Sequence, residues 1–285
     1  MGKGGGKGGT DGGRVQGGQR IPGGLPEDQL GRLIKALDNE NPKVWQKALG
    51  TLASFGSGAE NAIPALTAVL EDEEAGAKYG PVIHTLYFIG PQSVSGLVEG
   101  LKVKDAKPRR CALRALGLFG PKAREAALDV VEELRHKEPK NRALAAKALG
   151  AVEAIEEEAG LPLVLALKDE KSAVREAASE ALVKIAPSSE RVVGALIAVL
   201  ETGSAPARRQ AASALGGIGP SAMGAVPALV LALRSDDAKL RKEAVAALGG
   251  MGSAAKFALP AIQRALKDKN PGVRLEAKRA LSRIN

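Results

Sequence analysis

Six arginines, Arg109, Arg142, Arg175, Arg208, Arg241 and Arg274, follow one another at intervals of 33 residues. A guanidinium is always charged and presents a rigid fork of donors, so a regular column of them has two chemical uses. Set at the ~10 Å spacing of packed helices, the column would bind a polyanion. Alternatively, each arginine pairs with an acidic residue four to seven positions before it: Asp105, Glu138, Asp169, Glu201, Asp236 or Asp268. An acid within reach in every unit favours this structural ladder over a polyanion site.

Little else in the 285 residues is suited to covalent or metal chemistry. The single cysteine, Cys111, excludes an intramolecular disulfide and a cysteine-rich zinc site, and fits a half-buried apolar position in a reducing compartment. There are two histidines, His84 and His136, and no phosphate-binding glycine loop followed by Lys-Ser or Lys-Thr. Neither catalysis nor a cofactor or metal is expected.

The net charge of +9, from 41 Lys and Arg against 32 Asp and Glu, bears on partners rather than on fold. About a third of it sits in the first 24 residues, where Lys3, Lys7, Arg14 and Arg20 face Asp11 and half the positions are glycine. Such a segment cannot bury enough apolar surface to offset its ordering entropy, so residues 1–25 are expected to be a disordered basic tail and residues 26–285 the folded body. No apolar leader is present, and the expected location is the cytoplasm. The stretch Gln210 to Leu233 is uncharged, but the turn signal Gly216-Gly217-Ile218-Gly219-Pro220 cuts it, so no membrane span is expected.

The elements that must position the arginines emerge from self-similarity. The string ALGGIG at Ala214 recurs as ALGGMG at Ala247 and ALGLFG at Ala115, and anchoring on its leucine gives Leu52, Leu86, Leu116, Leu149, Leu182, Leu215, Leu248 and Leu281. Four residues before the anchor stand Ala48, Val82, Ala112, Ala145, Ala178, Ala211, Ala244 and Ala277; three after it every unit is apolar, from Phe55 to Ile284. These positions share one helix face, and the small residue permits close helix approach. Gly56, Gly90, Gly120, Gly219 and Gly252 predict left-handed caps at the ends of these helices. A second apolar pattern precedes each anchor helix and contains Pro64, Pro162, Pro227 or Pro260, placed either in a first turn or at a kink. With only 2% aromatic residues the core must be Leu, Ile, Val and Ala. The fold class is all-α: a right-handed α-solenoid of about eight two-helix repeats with a period of about 33 residues.

An acidic residue, a short gap, Val-Arg and then the Ala-Leu-Gly helix end, as in Asp169 with Val174-Arg175 and Asp268 with Val273-Arg274, resembles HEAT repeats of the short, phycobilisome-lyase-like form across residues 26–285. The ankyrin and tetratricopeptide signatures are absent. The resemblance implies the Asp and Arg ladder and a concave partner-binding surface. It does not imply catalysis: the His-Glu pairs of the HEAT-repeat deoxyhypusine hydroxylases are missing, since His84 precedes Thr85 and His136 precedes Lys137. A phycobilin-lyase-like role would rest on fold analogy alone.

The concave face should expose the columns six and two residues before the anchor, among them Arg110, Arg209, Lys242, His84, Arg114 and Lys147. Glu176 and Glu180 interrupt the positive charge, which suits a protein partner better than nucleic acid. A polyanion remains an alternative through the tail and a third-unit patch of Lys102, Lys104, Lys107, Arg109, Arg110 and Arg114. In the first two units Trp45 and Tyr79 replace the ladder arginine, with His84 and Tyr87 nearby. This aromatic cluster is either a binding hot spot or the cap of the array.

Overall fold

In the computed structural model, which describes residues 25–72 and 74–284, the eight units are eight helix pairs. They are α1 (Glu27–Leu37) with α2 (Pro42–Phe55), α3 (Ile63–Glu71) with α4 (Tyr79–Ile89), α5 (Val94–Lys102) with α6 (Ala106–Phe119), and α7 (Ala127–Glu132) with α8 (Pro139–Ala151). Then follow α9 (Glu156–Ala166) with α10 (Ser172–Ile185), α11 (Glu190–Thr202) with α12 (Ala205–Ile218), α13 (Val226–Ala232) with α14 (Ala238–Gly250), and α15 (Leu259–Ala265) with α16 (Pro271–Ile284). No strand occurs among the described residues. Odd-numbered helices form one layer and even-numbered helices the other, so the chain is an all-helical solenoid as its period predicts.

The tail expected at residues 1–25 lies almost wholly outside the described residues. Leu25, assigned to it from composition, instead belongs to the body: it is buried, and its amide donates to the Gly58 carbonyl at 3.0 Å.

The columns explain the packing. From Ala48 to Ala277 the residue four before the anchor is at most 2% exposed, and the anchor leucines of the first seven repeats are fully buried. The glycines that end α2, α4, α6, α12 and the segment after α14 all have positive φ, between 54° and 121°. At Gly56, Gly90, Gly120 and Gly219 ψ lies between −130° and −171°, which is not the left-handed cap expected but a region still more restricted to glycine. The chain then enters a 3-10 segment, Gly56–Ala62, Gly120–Ala126, Gly219–Ala225 or Gly252–Ala258, in each of which two alanines are buried against the stack. Their sequence signal is a pair of alanines seven and ten residues after the anchor, Ala59 and Ala62, Ala123 and Ala126, Ala222 and Ala225, and Ala255 and Ala258. The prolines resolve both ways: Pro64, Pro227 and Pro260 sit in first turns, whereas Pro162 lies inside α9. The apolar run through Ala205–Ala232 is long enough by composition to cross a membrane, but the turn at Gly219 divides it into two helices.

Successive even-numbered helices approach to backbone contact. A methyl group on Gly150 would lie 2.9 Å from the Cα of Ala181, on Gly216 2.6 Å from that of Ala247, and on Gly249 3.0 Å from that of Ala280. The Ala-Leu-Gly string is thereby explained: the glycine of one repeat receives the alanine of the next, while the leucine between them enters the core. Glycines of the odd-numbered layer meet side chains instead, Gly96 facing Thr67 and Gly160 facing Val192. A stack spaced more closely in one layer curves towards that layer, so the even-numbered helices line the concave side.

Substitution of Gly216 by alanine is expected to lower stability by about 1–3 kcal/mol, because Ala247 has no room to yield. At Gly224 an added methyl group would meet nothing within 4 Å, so alanine there should gain about 0.4–1 kcal/mol from the stiffer unfolded chain. Urea midpoints of the two variants, moving in opposite directions, check this.

Candidate partner-binding surface

The inner helices carry two sets of polar residues, one turned into the stack and one turned away from it. The arginine column belongs to the first. The Nε and Nη2 of Arg142 donate to the two carboxylate oxygens of Asp169 at 2.6 and 3.0 Å, and its Nη1 donates to the carbonyls of His136 and Lys137. Arg241 does the same three repeats on, with both bonds to Asp268 at 2.8 Å and its Nη1 on the carbonyls of Ser235 and Asp236. Arg109 reaches Glu133 at 2.5 Å and the Val103 carbonyl.

The ladder therefore exists, but its rungs differ from those expected. The carboxylate comes from the next repeat, 27 residues later in the two bidentate rungs, and the contacts within a repeat are to backbone carbonyls of the inter-helix turn. The reason is geometric: an acid four to seven positions earlier sits on the turn whose carbonyls already hold the guanidinium. Arg175 and Arg208 lack the inter-repeat rung. Arg175 grips the carbonyls of Asp169 and Glu170, leaving its Nε without an acceptor, and Arg208 holds the carbonyl of Leu200. Arg274, in the last repeat, also grips only turn carbonyls, those of Asp268 and Lys269.

Asp169 and Asp268 each do two jobs, accepting from the previous repeat's arginine and from the amide of Lys171 or Asn270 in their own turn. Burial pushes the Asp169 carboxyl upward, but the Arg142 fork, the Lys171 amide and the nearby guanidinium charges outweigh it and hold the group below the usual carboxylate range. For Asp268 the Arg241 fork is the leading influence, and the direction is again downward.

Trp45 and Tyr79 are corrections to the hot-spot reading. Both are buried, at 5% exposure, and so cannot meet a partner. They occupy the arginine's place in the first two repeats, and the Tyr79 hydroxyl donates to the Asp72 carbonyl at 2.6 Å, the same turn-gripping contact that the arginines make. Tyr87 is half-buried and stacks on Phe119 at 5.2 Å, whereas His84 is exposed with its ring 4.6 Å from Phe88.

The second set faces away from the stack. Gly50, His84, Arg114, Lys147, Glu180, Ser213 and Arg279, two residues before each anchor, are exposed, and Ala246 is half-buried. In the other column Lys242 is exposed, while Arg110 and Arg209 are half-buried, Arg209 lying 3.4 Å from Asp237. The third-unit basic patch does not hold together. Arg109 turns into the ladder and Lys102 pairs with Glu99, while Arg110 and Arg114 join Lys140, Lys147 and Lys171 around a groove of about 530 Å³ across α6, α8 and α10. A second groove of about 490 Å³ lies between α2 and α4, walled by Leu49, Pro81, His84 and Phe88. Sequence reading missed Lys140, Lys171 and Phe88. For Phe88, half exposed, the available signal was its column, two after the anchor, where only Leu118 is comparably large and apolar. Cys111 is exposed rather than half-buried, although Ala112 beside it on α6 is fully buried. No group of three or more potential metal ligands occurs among the described residues.

The profile of the HEAT-repeat family matches residues 127–216 and 226–285, more than half of the chain, beginning at α7. No curated protein matches. Among solved structures, an engineered protein shares 23% identity over 90% of this chain and 78% of its own, with a TM-score of 0.51. The Kap95:Nup1 complex shares 17% identity over 90% of this chain, with a TM-score of 0.62, and this chain spans only 40% of that one. At these identities the likeness is one of fold.

Removing a bidentate rung strands a carboxylate, so Arg142→Ala is expected to cost about 3 kcal/mol. Arg175→Ala, which loses only bonds to carbonyls, should cost about 1–2 kcal/mol. Because the two aspartates titrate lower in the folded protein, their stabilisation is complete above the unfolded value of about 3.9 and is lost as pH falls below it. Melting temperatures measured from neutral to acidic pH should drop below about pH 4, and the drop should be shallower in Arg142→Ala.

Proposed function

Because the chain belongs to the HEAT-repeat family, whose helix pairs stack into a solenoid, we propose that it is a non-catalytic scaffold holding a partner protein along its concave face. The observation that carries this reading is the exposed column two residues before the anchor, from Gly50 to Arg279. It runs the length of the array beside a fully buried one and serves no internal contact comparable to the arginine ladder. A row of outward side chains on rigid, closely stacked helices is a preorganised surface, which lowers the ordering cost of binding. Mixed charge favours protein over nucleic acid: Glu176, Glu180 and Glu243 share one groove with Arg209, Lys239 and Lys242.

Affinity capture with variants of the two faces tests the reading. Gly50→Arg and Ser213→Glu add bulk or charge to the concave column, and Leu165→Glu alters an exposed leucine of the outer layer. A partner retained by the wild type should be lost with either concave substitution and kept with Leu165→Glu; the opposite pattern would reject the concave face.

A further inference from the structure

The concave face is divided into three zones of different chemistry. Between α2 and α4 it is apolar: Leu49, Ala53 and Pro81 floor the groove, Phe88 is half exposed at its side, and nothing stands within 4 Å of where a side chain on Gly50 or Gly80 would be. Across α6, α8 and α10 it is basic, with Arg110, Arg114, Lys140, Lys147 and Lys171 and no carboxylate among the lining residues. From α10 to α14 three glutamates balance three cations.

The basic zone lacks internal compensation. Among the described residues, only Lys171 of its five cations has a carboxylate within 4.0 Å, that of Glu170 at 3.6 Å. Arg110 donates to the Oδ1 of Asn141 at 3.2 Å, and Asn141 is fully buried, so the guanidinium is oriented without being neutralised. Carboxylates placed over this groove would relieve the repulsion among the cations and gain charge-assisted hydrogen bonds. The glutamates beyond it repel a further run of acids, which confines the match to repeats three to five. Nucleic acid fits less well, because no aromatic ring lines the basic groove to stack a base.

We propose that the partner presents an extended peptide segment carrying one large apolar side chain and, about six to eight residues from it, a run of carboxylates. The apolar side chain sits beside Phe88 and the carboxylates lie over Arg114 and Lys147. The spacing follows from the two and a half repeats, at ~10 Å each, between the middle of the α2–α4 groove and α8 at the centre of the basic groove, measured against ~3.3 Å per residue of extended chain and counted to the middle of the acidic run. The inference rests on the concave-face reading and adds the chemistry and spacing of what that face holds.

A synthetic fluorescent peptide tests it: one phenylalanine, a five-residue Gly-Ser spacer and four glutamates, followed by fluorescence anisotropy at low salt. The expected result is binding that falls at least ~10-fold with Arg114→Glu combined with Lys147→Glu. It should fall about tenfold with Phe88→Ser or with the spacer cut to two residues, the loss corresponding to one side chain's burial. All three protein substitutions alter side chains that are exposed, so the fold is preserved. Equal binding of a peptide with lysines in place of glutamates, or of the short-spacer peptide, would overturn the charge and spacing while leaving the concave face in place if Phe88→Ser still weakens it. Preference for an oligothymidylate over the acidic peptide, abolished by the charge reversals, would replace the peptide with a polyanion. Failure of every probe to bind overturns the inference, and binding indifferent to all three substitutions overturns the concave face as well.

Discussion

The distance between successive even-numbered helices governs this molecule. Where Gly150, Gly216 and Gly249 receive Ala181, Ala247 and Ala280, backbones approach to within a methyl group, and no side chain larger than hydrogen fits on one side of the contact. The opposite layer is spaced by side chains. Curvature, the direction of the concave face and the presentation of its outward columns all follow from that difference. The contact also varies along the array. At the fifth junction Val183 stands where repeats three, four, six and seven have glycine, and Gly217 makes the room: a methyl group there would lie 2.5 Å from the valine. In the second repeat Tyr87 takes the glycine's position and lies flat against Phe119. The stack is uniform in register and uneven in spacing.

The arginine ladder is a second system laid over this contact. Its bidentate rungs tie repeat four to five and repeat seven to eight, each through a carboxylate that also orders its own turn. Ion pairs this sheltered gain from a low local dielectric and lose from desolvation, so their main effect is to fix how one repeat docks on the next. Between them, Arg175 and Arg208 hold turns without crossing to a neighbour. No bidentate fork crosses those junctions: Ser179 reaches the Gln210 carbonyl at 3.4 Å, Arg209 lies 3.4 Å from Asp237, and the rest of the contact is hydrophobic packing, which is less directional than a guanidinium fork. This part of the array is thus held mainly by area, and the junctions with bidentate rungs by area and geometry together.

Partner recognition draws on what these two systems leave unused. Arg109 is consumed by Glu133, whereas Arg110, its neighbour on the same helix, turns outward and is braced by Asn141. One position along a helix rotates a side chain by about 100°, which separates a structural cation from a binding one. The basic groove collects such outward cations from three consecutive repeats, and the apolar groove forms where the first two repeats carry rings instead of ladder arginines.

Much of this was legible in the chain. The period, the eight anchor leucines, the small column four residues earlier and the glycine stops predicted the paired helices and their layers, because a repeated contact demands a repeated residue. The outward columns were legible for the same reason, and so was the existence of a ladder. Its partners were not. Arg142 and Asp169 are 27 residues apart in sequence and meet only because adjacent repeats stack in a particular register, whereas Glu138, four residues away, looked equally able to pair. Trp45 and Tyr79 looked available because composition does not record which side of a helix is covered at the end of an array. The dispersal of the third-unit patch, and its replacement by a groove gathered from three repeats, likewise depends on distances between helices. The sequence by itself determined the repeat, its helices and which residues each helix must bury, since these follow from local periodicity; the tertiary structure alone decided which charges pair and which stand free, since that is settled across junctions where residues remote in sequence share a surface.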